Sequence, residues 1–227
     1  MNLKEIYLTL LNYFGAQNWW PTDKDYHLKR KTNPFDEIVI GAILTQNTSW
    51  QNVERALQRL KTEGELSLKF VEQAPLERLK ELIKPAGFYN QKAKYLKEIA
   101  KFIKNLKGAP PKREELLKVK GIGRETADVI LLYAYGVPTF VVDKYTLRWL
   151  ERYFGIKTDY EGAKKLFESA LPPSVPVYRE FHALIDELAK QHCRAKNPDC
   201  AACPLKEGCL YYKKQNAASR KNTKGGK

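Results

Sequence analysis

The sequence has no long unbroken run of apolar residues, although 43% of its 227 residues are apolar. A membrane-spanning helix needs about 20 such residues, so none is predicted. The first seventeen residues place apolar side chains at helical spacing with polar residues between them, unlike the apolar region of a signal peptide. We therefore expect the protein in the cytoplasm, where cysteines stay reduced, with no membrane partner.

The alternation of apolar and polar residues that is typical of β-strands is also missing. Apolar residues instead recur at helical spacing along most of the chain, and Pro and Gly breaks divide it into about ten helices. There is no internal repeat. The pattern predicts an all-α fold.

Acidic residues are scarce, with 26 Asp and Glu against 40 Lys and Arg, which gives a formal charge of +14. Residues 213–227 hold six of the basic residues and no acidic one. Because this segment has nothing apolar after Ala218, we expect 213–227 to be a disordered basic tail. The rest of the chain keeps an excess of basic residues, which predicts a polyanionic partner.

Cysteine is absent outside residues 193–209, which contain all four: Cys193, Cys200, Cys203 and Cys209. Four thiolates in one short segment suit a tetrahedral site for an iron-sulfur cluster or zinc, with a metal-free segment as the alternative. Zinc sites more often contain two close cysteine pairs, and here only Cys200 and Cys203 form one, so the spacing favours a 4Fe-4S cluster. His192 is interpreted as a helix-end residue.

Two glycines enclose one residue in the segment Gly121-Ile122-Gly123. A short helix ends before this turn, and a second apolar helix begins near Arg124. Glycine lets the backbone approach a ligand closely, and the N–H groups at a helix start can bind an anion. DNA phosphate is the expected anion in so basic a chain, although a simple turn between helices would have the same sequence.

Gly136, Pro138 and Asp143 follow this hairpin. Together these residues resemble the signature of the helix-hairpin-helix/Gly-Pro-Asp superfamily of DNA glycosylases, which is the endonuclease III family. The cysteine segment resembles the iron-sulfur cluster loop of that family. Two further segments also resemble family motifs: Leu44-Thr45-Gln46-Asn47-Thr48 and Gly87-Phe88-Tyr89-Asn90-Gln91-Lys92-Ala93-Lys94.

The resemblance implies a two-lobed fold, with a six-helix lobe over 31–138 and a cluster lobe over 1–30 and 139–212. It implies a monomer that binds double-stranded DNA containing damaged bases, in association with the nucleoid. Gln46 would fill the gap left by a flipped base, and Phe88 would wedge into the base stack. The residues expected to contact DNA are Gly121, Ile122, Gly123, Arg124, Gln46, Phe88, Asn90 and Lys92.

Asp143 is the predicted catalytic residue. It opens the helix that contains Leu147 and Leu150, so it also occupies an N-cap position, and capping alone would explain it. The N–H groups at a helix start favour a carboxylate. A fixed anion there can stabilise the cationic sugar that develops as a glycosidic bond breaks, or orient or deprotonate the attacking water.

Glu125 distinguishes two kinds of enzyme within the resemblance. Bifunctional endonuclease III enzymes carry a lysine after the motif GxGR or GxGK, and its amine forms a Schiff base with the sugar. Glutamate cannot form one, so water is the expected nucleophile. The alternative interpretation is that Glu125 only suits the first turn of its helix. Lys144, next to Asp143, is the candidate for adventitious lyase chemistry.

Trp19-Trp20-Pro21 could anchor the end of the first helix in the core. With the other motifs, however, the run resembles the 3-methyladenine DNA glycosylase III branch, in which these residues line the pocket for an alkylated base. The best-known members of that branch lack the cluster loop. We predict a monofunctional glycosylase for alkylated purines; the alternatives are a bifunctional lyase for oxidised pyrimidines and a noncatalytic DNA-binding module.

Overall fold

A computed structural model describes residues 2–106 and 108–224, with side chains up to Ala217. Within those residues the structure has thirteen α-helices and no strand, which confirms the all-α prediction. The helices are α1 (Leu3–Phe14), α2 (Lys24–Arg30), α3 (Pro34–Leu44), α4 (Trp50–Glu63), α5 (Leu68–Gln73), α6 (Leu76–Ile83), α7 (Tyr89–Asn105), α8 (Arg113–Leu117), α9 (Arg124–Val129), α10 (Lys144–Phe154), α11 (Tyr160–Ala170), α12 (Val175–Gln191) and α13 (Leu210–Lys224). A π-helical turn over Ile130–Ala134 continues α9.

The chain divides into two compact units: Met1–Trp19 with Pro138–Lys227, and Trp20–Val137. We call these the terminal unit and the central unit. The sequence-based boundary at residue 31 differs from this division, because α2 is bonded to α3 within the central unit. Glu37 accepts from the Asp23 main chain at 2.8 Å and lies 3.0 Å from His27 Nε2.

The central unit is built around α3. This helix is buried on nearly every side, as its run of Val, Ile, Ala and Leu requires. It packs against α4, α7, α9 and the π-helical turn. The segments that resemble DNA-contacting motifs lie at the ends of helices of this core. The Gln46 segment comes directly after α3, and Phe88 comes directly before α7.

The core of the terminal unit is aromatic. Phe140 stacks on Phe167 with 3.9 Å between ring centroids, and both rings meet Phe181 of α12 edge-on. The main-chain N–H of Phe140 also donates to Glu168 Oε1 at 2.9 Å. The segment that leads into Asp143 is therefore held in two ways: by packing of the Phe140 ring and by a hydrogen bond from the Phe140 main chain.

The C-terminal segment differs from its prediction as a disordered tail. Over 213–224 the structure has a continuation of α13, and 225–227 lie outside the described residues. The sequence between 210 and 224 contains neither Pro nor Gly, so a helix that begins at Leu210 meets no breaker there. Among the described residues, no helix is both long and apolar enough to cross a membrane.

Candidate active site, hairpin and cysteine cavity

Asp143 caps α10, as its sequence position predicts. Its Oδ1 accepts from the main-chain N–H of Thr146 at 2.7 Å and from the Thr146 hydroxyl at 2.8 Å. Thr146 is fully buried, and the Asp143 side chain is only 12% exposed. One carboxylate oxygen is thus committed to the helix, while Oδ2 makes neither of these bonds.

Asp143 Oδ2 lies 3.9 Å from His182 Nε2 on α12. One turn further along α12, the Asp186 carboxylate is paired with Lys190. Burial raises the pKa of Asp186 and the charge of Asp143 adds to the rise, whereas the Lys190 ammonium lowers it. This polar row was not predicted; the only signal for it in the sequence was the spacing of four between His182, Asp186 and Lys190.

The two glycines of the hairpin between α8 and α9 have different structural requirements. Gly121 has φ +89°, and a Cβ there would lie 2.1 Å from the ring of Tyr95. Gly123 is the N-cap of α9 with φ −89°, and a Cβ there would meet nothing within 4 Å. Gly121 is therefore needed for packing and conformation, whereas Gly123 leaves open space in front of the helix start.

Other hairpin residues divide between core and surface. The side chain of Ile122 is buried, so only its main chain can face a ligand, whereas Arg124 and Glu125 are exposed. Arg113 of α8 makes a bidentate pair with the fully buried Asp128 of α9 at 2.8 and 3.0 Å. This pair fixes the two helices of the hairpin to each other.

Gln46 is hydrogen-bonded to the hairpin. Its side-chain amide donates to the Gly121 carbonyl at 2.9 Å and to Thr126 Oγ1 at 3.1 Å. The next residue, Asn47, has φ +52° and is exposed. Two segments that were separately predicted to contact DNA are thus adjacent within the central unit.

Phe88 is 64% exposed and its backbone has φ +47°, and its role as a wedge stays a prediction. Asn90 is exposed as well. Lys92 differs from the prediction of a DNA contact, because its side chain is 2% exposed. Its ammonium donates to the carbonyls of Leu44 and Ala86, both at 2.8 Å.

Burial explains why Lys92 must be corrected to an internal role. It lowers the pKa of this lysine to about 8, so the ammonium still predominates at pH 7. Two main-chain carbonyls then use its donors, as a buried cation requires. The two carbonyls belong to the ends of segments that precede Gln46 and Phe88, so Lys92 braces both segments from inside.

The Trp-Trp-Pro run is split by the unit boundary. Trp19 is half-buried in the terminal unit, while exposed Pro21 and half-buried Trp20 belong to the central unit. The Trp20 ring meets Trp50 and Tyr133 edge-on at centroid distances of 5.5 and 5.6 Å.

Gly41 makes this aromatic cluster possible, since a Cβ there would lie 2.8 Å from the Trp20 ring. Trp50 and Tyr133 were not predicted as its neighbours, because they are distant from Trp20 along the chain.

Lys144 points away from the core. It is exposed, and its ammonium lies 5.2 Å from the ring centroid of Tyr145, which is a cation–π distance. Lys144 is the first residue of α10, whereas the side chain of its neighbour Asp143 is only 12% exposed.

All four cysteines line one cavity of the terminal unit. Its other walls are largely apolar or aromatic: Trp149, Tyr153, Leu188, Leu205, Tyr211 and Tyr212. Burial raises the pKa of Cys203 to about 11, and the neighbouring thiols add to that rise. In the part of the chain that the structure describes, no three His, Cys, Asp or Glu side chains are arranged as a metal-binding group.

Two arginines of α10 hold the start of the cysteine segment. Arg148 Nε donates to the Cys193 carbonyl at 2.8 Å. Arg152 donates to the carbonyls of Arg194 and Ala195 at 2.7 and 3.1 Å, and its Nη1 lies 3.5 Å from Cys193 Sγ. The helix that Asp143 caps therefore also carries the side chains that fix the cysteine loop.

His192 ends α12, as its interpretation as a helix-end residue expects, and its ring also lines the cysteine cavity. The residue is 6% exposed, and neither ring nitrogen has a hydrogen-bond partner among the described residues. Leaving a buried polar group without a hydrogen bond costs free energy. We therefore expect a group bound in this cavity to supply a partner for the His192 ring.

Comparison with known proteins gives a family match. The model of the family described as HhH-GPD superfamily base excision DNA repair protein matches residues 40–173. The matched range is more than half of the chain and contains Gln46, Phe88, the hairpin and Asp143.

Individual proteins resemble most of the chain. It is 47% identical over 219 residues to "Putative DNA repair glycosylase MJ1434" of Methanocaldococcus jannaschii, covering 91% of this chain and 94% of that protein. A non-covalent endonuclease III–DNA complex gives a TM-score of 0.78 at 25% identity, covering 95% of this chain and 97% of that one. H. pylori 3-methyladenine DNA glycosylase (MagIII) bound to 1,N6-ethenoadenine gives 0.67 at 30% identity, covering 84% and 98%.

Proposed function

This chain belongs to the HhH-GPD superfamily of base excision DNA repair proteins, and we propose that within it the chain is a monofunctional glycosylase for alkylated purines. The coarser function is established by the family and its relatives: the protein is a DNA N-glycosylase, and DNA is its partner. The proposed reaction is hydrolysis of the N-glycosidic bond of a base such as 3-methyladenine in duplex DNA. The aromatic cluster around Trp20 is the observation that carries the choice of substrate.

An N3-alkylated purine nucleotide is cationic, and this charge supports the choice of Trp20 and Trp50 as its recognition residues. Tyr133, which is 3% exposed, is a buried packing partner of Trp20. Aromatic faces attract cations, with tryptophan the most effective ring. The positive charge also weakens the glycosidic bond, so the enzyme need not supply a strong acid to the leaving group. An aromatic cluster can therefore select this substrate without a specific proton donor.

Glu125 supports hydrolysis without strand cleavage. It is exposed on α9, where the resemblance to bifunctional enzymes would place a lysine, and it offers no amine to the sugar. Asp143 supplies the negative charge for the developing sugar cation through a carboxylate held in place by Thr146. Water is then the nucleophile.

We further propose that the cysteine cavity holds a 4Fe-4S cluster. The donor set fits such a cluster, because four thiols line a single cavity and cubane clusters take four thiolates. His192 supports the same assignment, since cluster sulfur would give its buried ring the missing acceptor. When bound, the cluster would link Cys193, Cys200, Cys203 and Cys209 and so fix the shape of their loop.

A panel of damaged duplexes tests the proposed function. Duplexes that carry 3-methyladenine, an oxidised pyrimidine or an abasic site are incubated with the protein, and free base and strand nicks are scored separately. We expect release of 3-methyladenine without nicking. Release of an oxidised pyrimidine with nicking would instead support the lyase alternative, and binding without release would support a noncatalytic module.

Gly123→Arg is expected to weaken binding to damaged and undamaged duplexes alike. The new side chain would fill the open space before α9, where DNA phosphate is proposed to bind. Contacts to the bases would not change, so the loss should not depend on the damage. Binding is measured by fluorescence anisotropy at fixed salt, because phosphate contacts are salt-dependent. Gly121→Arg is unsuitable because it would collide with Tyr95.

Gly123→Ala provides the matched control, since its methyl group would contact nothing within 4 Å. We expect it to bind nearly as tightly as the unaltered protein. Normal affinity in Gly123→Arg would show that the hairpin is only a turn between two helices.

A further inference from the structure

The two oxygens of Asp143 have separate surroundings. Oδ1 accepts two hydrogen bonds from Thr146, which leaves it little capacity for another partner. Oδ2 faces His182 Nε2 at 3.9 Å. That separation is too long for a direct hydrogen bond but is short enough for one water molecule to bond to both atoms.

His182 is well placed for chemistry rather than for a surface role. Its side chain is 14% exposed and is carried by α12, whose apolar residues are buried in the core of the terminal unit. The charged groups near it include Asp143 at the start of α10 and Asp186 on α12, and Asp186 is itself paired with Lys190. An imidazole in this position faces the catalytic carboxylate on one side and is fixed by a packed helix on the other.

We propose that His182 is a second catalytic residue, which binds the attacking water together with Asp143 Oδ2 and accepts its proton. This inference rests on the proposed hydrolytic function and extends it. The proposal divides the work between two side chains. Asp143 remains an anion throughout and stabilises the sugar cation, and His182 acts as the general base.

The proton and charge balance of this step favours an imidazole base. Water oxygen bonds to C1′ of the sugar as the bond from C1′ to the base nitrogen breaks, and the electron pair of the broken bond leaves with the base. A cationic alkylpurine then departs as a neutral molecule and needs no proton. The proton lost by water moves to His182 Nε2, so the positive charge passes from the base to the imidazolium.

The same proton would be harmful on Asp143. A protonated carboxyl is neutral and could no longer stabilise a cationic sugar, so the reaction benefits if a different group accepts the proton. Histidine is the side chain that most readily exchanges a proton near neutral pH. The distance of 3.9 Å does not oppose the assignment, because catalytic hydrogen bonds are often long before substrate binds.

The test compares unaltered protein with His182→Gln in single-turnover release of 3-methyladenine between about pH 5 and pH 9, which brackets the titration of histidine. Glutamine can bond to water or to Asp143 but cannot accept a proton. We expect release near neutral pH to slow by about a hundredfold, within the range for loss of a general base, with unchanged affinity for a duplex that carries an abasic-site analogue. Glu187→Gln, which alters a neighbouring charge on α12, is the control and should keep normal activity.

The dependence on pH separates catalysis from simple positioning. The base must be neutral, so release by the unaltered protein should fall as pH is lowered, and His182→Gln should lose that acidic decline. Free imidazole should partly restore release by His182→Ala, which also keeps the test valid if the glutamine variant folds poorly. A His182→Gln rate within about threefold of normal, or an unchanged acidic decline, would overturn the proposal.

Failure of the proposed function can be distinguished from failure of the His182 proposal. If the unaltered protein releases a different base by hydrolysis, the same rate ratio and pH profile are measured on that base, and they decide the role of His182. If it cleaves by a covalent sugar–amine intermediate, water is not the nucleophile and the assignment of His182 as its base is wrong.

Discussion

Replacing Asp143 with asparagine is expected to slow the release of 3-methyladenine by roughly a hundredfold or more. Asparagine is neutral and has the same shape as aspartate, so the substitution removes a charge and little else. A fixed anion next to a developing sugar cation is worth on the order of 3 kcal/mol, which corresponds to about two orders of magnitude in rate. The measurement is single-turnover base release, with enzyme in excess over damaged duplex.

The fold should survive this substitution, because asparagine is as good an N-cap as aspartate. The carbonyl oxygen of the new side chain can accept the same two hydrogen bonds from Thr146 that Asp143 Oδ1 accepts. Circular dichroism and affinity for an abasic-site analogue should therefore match those of the unaltered protein. A variant that binds normally and still releases base at the normal rate would remove Asp143 from the mechanism.

Borohydride trapping provides the matching chemical test. A Schiff base between a lysine and the sugar would be reduced to a stable protein–DNA adduct, and none should form at levels comparable to turnover because Glu125 has no amine. Efficient trapping that disappears in Lys144→Ala would identify Lys144 as the nucleophile and would establish the lyase alternative.

Replacing Cys200 with Ser is expected to remove most of the iron from the purified protein. The unaltered protein, prepared without oxygen, should be brown and carry about four irons per chain, together with acid-labile sulfide. Serine oxygen is a poor substitute for a thiolate in a cubane cluster. Elemental analysis and visible absorption measure the loss, and one zinc without sulfide in the unaltered protein would contradict the cluster assignment.

The position of the cysteine segment predicts what else would change. Its start is held by Arg148 and Arg152 of α10, so the loop should loosen without unfolding the core of the terminal unit. We expect Cys200→Ser to weaken DNA binding more than it slows bond cleavage by bound enzyme. Lys196→Ala is the control, because it alters the charge of the same loop without removing a sulfur ligand and should keep normal iron content.

Features set by local sequence were predictable. The helical spacing of apolar residues predicts the all-α fold, and Asp143 lies at an N-cap because a single helix begins after it. The hairpin glycines were also correctly placed in a turn between two helices. Each of these features depends on residues within one or two turns of one another.

Features set by tertiary contacts were not predictable in the same way. Nothing near Lys92 in the sequence indicates that its ammonium is buried against the Leu44 carbonyl. The contact of Trp20 with Trp50 and the approach of His182 to Asp143 likewise join residues that are far apart along the chain. A single sequence shows the helical spacing of apolar residues, but it does not show which residues of other helices pack against them.

The internal position of Lys92 also affects how a chemical footprinting experiment on this protein should be read. An amine-reactive reagent labels lysines in proportion to their access to solvent, and Lys92 is 2% exposed before any DNA is added. Its nitrogen would have to lose a proton before it could attack the reagent, and as an ammonium it donates to two main-chain carbonyls instead. Protection of Lys92 in a DNA complex would therefore report the integrity of the central unit, whereas protection of exposed Lys144 would report its coverage by DNA.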